Sequence, residues 1–259
     1  MNEDLKKIIN ESGNNLHLNV VKRLETMGWD VALSPYYYDD SADKPREIDI
    51  IAQKKVQIFN NSEKEIDQFK LLLFIECKYF KNELAFRVRK NCEEERKLSL
   101  IIEGMNKSIL LEGDEPFFRN HHYSKVDFIG KLYDSLSEDQ VKIFNAITQS
   151  IKSLIFFKER GLEKGLYYPI VVYGGVDGLY AIEESNIKNL DNLEKKDNLI
   201  FNLNYSYRSA VSGGLKTKHF YVDFIRENKL EDYIGMILKD ADELKKYLFF
   251  TYNMSKKSR

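Results

Sequence analysis

Two apolar runs in the first third of the chain, REIDIIAQKK (residues 46–55) and FKLLLFIECKYF (69–80), are each interrupted by charge. Asp49 breaks the first run, and Glu76 and Lys78 break the second. Runs so rich in Ile, Leu and Phe, bounded by turn-forming residues, read as strands of a buried sheet. Alternate side chains of a strand share a face. Glu47 and Asp49 are therefore expected on one face with Ile48 and Ile50 on the other, and Glu76 beside Lys78 with Cys77 opposite. If the strands are neighbours, Asp49, Glu76 and Lys78 converge at one end of the sheet. Three ionised groups in an apolar layer carry a heavy desolvation cost unless each is compensated. A divalent cation between the carboxylates removes that cost, and hard oxygen ligands suit Mg²⁺ or Mn²⁺. A protonated lysine cannot ligate, but it can position a water or stabilise charge developing at phosphorus. An ordinary salt bridge at a sheet edge is the plain alternative.

The surrounding pattern gives these strands a setting. Residues 3–11 read as a short helix. Leu16, Val20, Leu24 and Met27 recur at helical spacing up to Gly28. WDVALSPYYY then reads as one strand, DDSADKP as a turn, and REIDIIAQKK and KLLLFIECKYF as the next two, so a three-strand meander is expected. Residues 84–137 have no clear period and read as an insertion, with a helical option for ELAFRVRKNCEEERKLSLIIEGM. A helix follows over SEDQVKIFNAITQSIKSLIFFKER, with a Ser137 cap signal and an apolar face of Val141, Phe144, Ile147, Ile151, Leu154 and Ile155. YYPIVVYGGVDGLYAIEE reads as strand, glycine turn, strand, and NLIFNLNYSYRS with KHFYVDFIR as a strand pair. An amphipathic helix spans residues 229–249. At 259 residues and 43% hydrophobic the chain can bury one large core, so a single domain over 1–259 is the simpler expectation.

The order helix, three strands, helix, strand, with an acidic residue on one strand and Glu76-x-Lys78 on the next, resembles the PD-(D/E)xK nuclease superfamily. Leu16-x-x-x-Val20-x-x-x-Leu24-x-x-x-Gly28-Trp29 and Arg46-Glu47-Ile48-Asp49-Ile50 resemble its Mrr-like branch. The resemblance implies an α/β restriction-endonuclease-like αβββαβ core, a mixed central sheet flanked by helices. That core covers residues 14–80 and, more loosely, 138–180, with an insertion at 84–137 and a C-terminal extension at 195–250. It also implies that Asp49 and Glu76 hold Mg²⁺ or Mn²⁺ with the Cys77 backbone carbonyl, that Lys78 serves catalysis, and that Gln149 lies near nucleic acid. The chain departs from the family's pattern at Ile48, where a proline is usual, and at His17, where relatives carry a glutamate. A histidine there resembles the viral cap-snatching endonucleases and makes His17 a candidate Mn²⁺ ligand.

The remaining signals are plainer. Lys81, Arg87 and Arg89 follow the Glu76 strand as candidate phosphate contacts, although Glu93, Glu94 and Glu95 soon cancel their sign. His121 and His122 read as a phosphate-contacting loop or as exposed residues, since neighbours in sequence rarely face one ion. Gly174, Gly175 and Gly178 read as turn residues. Two cysteines without CxxC spacing argue against a disulfide framework or a structural zinc knuckle. A formal net charge of −1 argues against a uniformly basic DNA-coating protein. No signal-peptide pattern and no apolar run of membrane-spanning length occur, so the expected location is cytoplasmic. The leading expectation is a DNA endonuclease of defence or DNA processing, acting alone, as a homodimer or with partner proteins. Its alternatives are a catalytically silent nuclease-like domain that binds nucleic acid or a protein, and an RNA endonuclease with a histidine-containing Mn²⁺ site.

Overall fold

A computed structural model describes residues 13–92, 102–103, 120–135, 137–160, 164–184 and 193–257. The short helix expected at 3–11 lies outside them. Helix α1 (Gly13–Thr26) stops where the sequence places its stop: Gly28 has φ 75°, and the Trp29 amide donates back to the Leu24 carbonyl at 3.1 Å.

The next two expected strands are each divided. WDVALSPYYY breaks at Ser34 (φ 52°) into β1 (Asp30–Leu33) and β2 (Tyr36–Asp39). REIDIIAQKK breaks at Ile48 and Asp49 into β3 (Lys44–Glu47) and β4 (Ile50–Phe59). The breaks hold each other in place. The Ser34 amide donates to the Asp49 carbonyl at 2.8 Å, and the Ile48 amide to the Pro35 carbonyl at 3.1 Å. β2 and β3 then pair only with one another, as a separate ribbon. Simple alternation therefore fails at this point. Ile48 and Ile50 are both fully buried, but in opposite core layers.

β5 (Glu65–Tyr79) follows, then β6 (Leu84–Lys90), β7 (Ile102–Glu103), the short helix α2 (His122–Lys125) and β8 (Phe128–Asp134). Thus Leu84–Lys90, which had a helical option, is a strand, and the region read as an insertion contributes strands to the main sheet. Helix α3 (Ser137–Glu159) leads to β9 (Gly165–Gly174) and β10 (Leu179–Glu183). The chain continues through β11 (Glu194–Lys196), β12 (Asn198–Arg208), β13 (Leu215–Arg226) and α4 (Leu230–Lys257). The sheet runs β1-β4-β5-β9-β13-β12-β8-β6-β10-β11, with β7 paired to β9 beside that path. β1, β4 and β5 form the expected antiparallel meander, and α3 crosses over to bring β9 parallel to β5.

Helices cover the two faces of this mixed sheet. Leu16, Val20 and Leu24 of α1 and Ile234, Ile237 and Leu244 of α4 pack with Leu71, Leu73, Ile75 and Cys77 of β5. On the other face Ile143, Ile147, Ile151 and Leu154 of α3 pack with Leu72 and Phe74. Each such side chain, withdrawn from water, contributes about 2 kcal/mol. Two members of the expected apolar face of α3, Val141 and Phe144, are instead exposed, because the buried stripe is rotated towards Ile143 and Ala146. Gly175, at φ 92°, follows β9, and a Cβ there would lie 2.1 Å from the Phe80 carbonyl oxygen. None of the described helices is long and apolar enough to cross a membrane.

Candidate active site at the strand ends

The β4/β5 register sets Ile50 opposite Ile75. Asp49, one residue before β4, therefore arrives beside Glu76 and its successors. Its Oδ2 accepts a hydrogen bond from the Cys77 amide at 2.7 Å. Lys78 Nζ donates to Glu76 Oε2 at 2.6 Å and lies 3.6 Å from Asp49 Oδ2. Glu76 has the same parity on β5 as Leu72 and Phe74 and so points to the α3 face. There Gln149, with its amide nitrogen turned inwards, donates to Glu76 Oε2 and to the Asn145 carbonyl, both at 3.3 Å. Sequence reasoning nominated all four side chains, and the structure brings them together.

The site is short of hydrogen-bond donors. Glu76 is 1% exposed, and its Oε1 is a buried acceptor without a hydrogen-bond partner. Burial, reinforced by the Asp49 charge and opposed by Lys78, pushes the Glu76 carboxyl up to about 7. Burial works to lower the Lys78 ammonium, but the facing Glu76 and Asp49 carboxylates outweigh it and hold it above the usual lysine range. A buried carboxylate oxygen with no donor is what a hard cation would complete, so Asp49 and Glu76 fit Mg²⁺ or Mn²⁺. Among the described residues, no third His, Cys, Asp or Glu completes a ligand cluster with them.

His17 reaches this end of the sheet, but its Nε2 donates to the Asp49 backbone carbonyl at 2.6 Å. In that arrangement the nitrogen braces the peptide beside the site and is not presented to a metal. Cys77 is buried, with its thiol on the α1 and α4 side; its amide is the group seen at work. Two of the three basic residues after β5 are placed elsewhere. Lys81 is exposed in the following turn. Arg87 and Arg89 lie on β6, and β9, β13, β12 and β8 stand between β5 and β6 in the sheet. Arg87 pairs with Asp134 at 2.8 Å. The β2–β3 ribbon adds what the sequence reading missed: Tyr37, whose buried hydroxyl has no hydrogen-bond partner and senses the Glu76 charge. Its only signal was the YYY run itself.

No family model, curated protein or solved structure matches this chain. What the site can do is therefore read from its geometry alone.

The largest departure from expectation lies elsewhere. His121 and His122 are 1% and 6% exposed, not part of an exposed loop. His122 Nδ1 contacts Asp240 Oδ2, and its Nε2 lies 3.4 Å from Asp223 Oδ1. Tyr123 and Tyr233 donate to Asp223 Oδ2 at 2.7 and 2.9 Å. His121 Nε2 lies 3.4 Å from Asp240 Oδ2 and 3.3 Å from the Tyr168 hydroxyl. Burial pushes His121 down to about 3. Burial works the same way on His122, but Asp223 and Asp240 reverse it and hold that ring at about 9. His122, Asp223 and Asp240 also line a cavity of about 820 Å³.

Proposed function

We propose that the chain is a divalent-metal-dependent phosphodiesterase acting on nucleic acid, with DNA as its first substrate, built on a restriction-endonuclease-like core. The observation that carries this reading is the convergence of Asp49, Glu76 and Lys78 at adjacent strand ends, with Glu76 Oε1 left as a buried acceptor. The succession α1, β1, β4, β5, α3, β9 and its meander-plus-crossover pairing support the family assignment. Asp49 and Glu76, with the Cys77 carbonyl, would hold Mg²⁺ or Mn²⁺; such an ion, when bound, supplies Lewis acidity and acidifies a water.

The chain's own groups have separable tasks in this reading. Lys78 keeps its proton, because the two carboxylates favour its charged form, and so orients the attacking water and offsets charge on the phosphoryl oxygens. Gln149 steadies the Glu76 carboxylate from α3, and His17 fixes the Asp49 peptide from α1. Defence against foreign DNA, or DNA processing with partner proteins, is the biological setting that fits.

Incubating the purified chain with supercoiled plasmid, single-stranded DNA and RNA, in Mg²⁺, Mn²⁺ or chelator, tests the proposal. Metal-dependent cleavage that disappears in Glu76→Ala and Lys78→Ala supports it. Cleavage that survives both substitutions, or none on any substrate, overturns it. Retained binding without cleavage in the unaltered chain would point to a silent nuclease-like domain.

A further inference from the structure

We propose that His121, His122 and Asp240 form a second metal site, for a divalent transition ion of the zinc class, separate from the strand-end carboxylates. The donor atoms His121 Nε2, His122 Nδ1 and Asp240 Oδ2 lie within 4.8 Å of one another, and all three residues are buried. Two imidazoles and one carboxylate form a softer set than Asp49 and Glu76, and suit zinc or cobalt over magnesium.

Two buried carboxylates, Asp223 and Asp240, stand beside the paired imidazoles, so a divalent ion brings the charge that balances them. On ligation the ion takes the place of the His122 Nδ1–Asp240 Oδ2 contact. His122 then carries its proton on Nε2, which makes no hydrogen bond at present and faces Asp223 Oδ1 at 3.4 Å. Asp223 is in turn braced by the Tyr123 and Tyr233 hydroxyls. A carboxylate holding the far nitrogen of a ligating histidine is the usual support of a metal site. The ion also has a route in, because His122 and Asp240 line the cavity, from which a water can supply the fourth ligand. Three contacts are given up: the His122 Nδ1–Asp240 Oδ2 hydrogen bond, the Tyr168 hydroxyl 3.3 Å from His121 Nε2, and the Tyr123 amide 3.2 Å from His121 Nδ1, which must carry the proton once Nε2 ligates.

The test uses the full chain, stripped with chelator, dialysed against Zn²⁺ and titrated with Co²⁺. The expected result is one tightly held equivalent that persists in the Asp49→Ala/Glu76→Ala double variant. Visible cobalt absorption of tetrahedral type should accompany it. Asp240→Asn should abolish that equivalent, and Asp223→Asn should weaken it about 10- to 100-fold. If Asp240→Asn does not fold, the Asp49→Ala/Glu76→Ala double variant decides, through a rise in its unfolding temperature on adding Zn²⁺. Zinc uptake that vanishes with Asp49 and Glu76, or an equivalent indifferent to Asp240→Asn, overturns the site, as does a stripped protein that binds none.

Discussion

The strand-end site and the histidine–aspartate cluster both place carboxylates where water is scarce, but they are finished differently. At the strand ends one lysine is shared between two carboxylates, and Glu76 Oε1 has no hydrogen-bond donor. In the cluster two tyrosine hydroxyls brace Asp223, while a ring nitrogen and a main-chain amide reach Asp240. A buried carboxylate with its donors in place rigidifies the structure around it; one left short is held in readiness for something that arrives later. The first site should therefore weigh more on chemistry, and the second more on folding.

Substitutions can break that contrast. Lys78→Ala should lower cleavage by roughly 10²-fold or more while costing less stability than the loss of Asp223; paired plasmid-nicking and denaturation assays check both halves. Asp223→Ala should cost about 3 kcal/mol or more of stability, because it strands His122 and two tyrosine hydroxyls, yet leave the rate per folded molecule unchanged. Urea melts alongside activity normalised to folded protein would show it.

Acidity sharpens the same comparison. The Glu76 carboxyl titrates at about 7 in the fold against 4.5 for the free side chain, so the fold keeps a proton that the unfolded chain has released. Its contribution is complete below pH 4.5 and is lost as pH rises through 7. The loss approaches about 3 kcal/mol in metal-free protein. Stability measured in chelator from pH 5 to 8 should fall by that order relative to Glu76→Gln, and Mg²⁺ should restore much of it. Smaller still, Gln149→Ala should reduce cleavage about tenfold or less, since it removes one long hydrogen bond to Glu76; kinetics under saturating metal would register it.

Much of the first site was legible because its determinants are local. Glu76 and Lys78 share a strand face through simple parity, and Asp49 sits one residue ahead of the adjoining strand. Gln149 followed from the resemblance and from a helix long enough to be read confidently by its period. What escaped reading has physical causes. Ser34 takes a left-handed backbone without a glycine to announce it, so a ten-residue run that looks like one strand serves two sheets. The α3 pattern admits two overlapping stripes, and only packing against β5 selects Ile143 over Val141 and Phe144. The cluster was invisible for a different reason. His122 finds its partners at Asp223 and Asp240, a hundred residues and more along the chain, and no spacing rule links them.

The sheet's outermost strands carry a further consequence. Among the described residues the order ends on β1, four residues long, and on β11, the three-residue run Glu194-Lys195-Lys196. Such short or charged margins offer little ladder for a foreign strand to extend. Among the described residues, an added strand would find its opening instead beside residues 54–59 of β4, which β1 leaves uncovered, or along the separate β2–β3 ribbon.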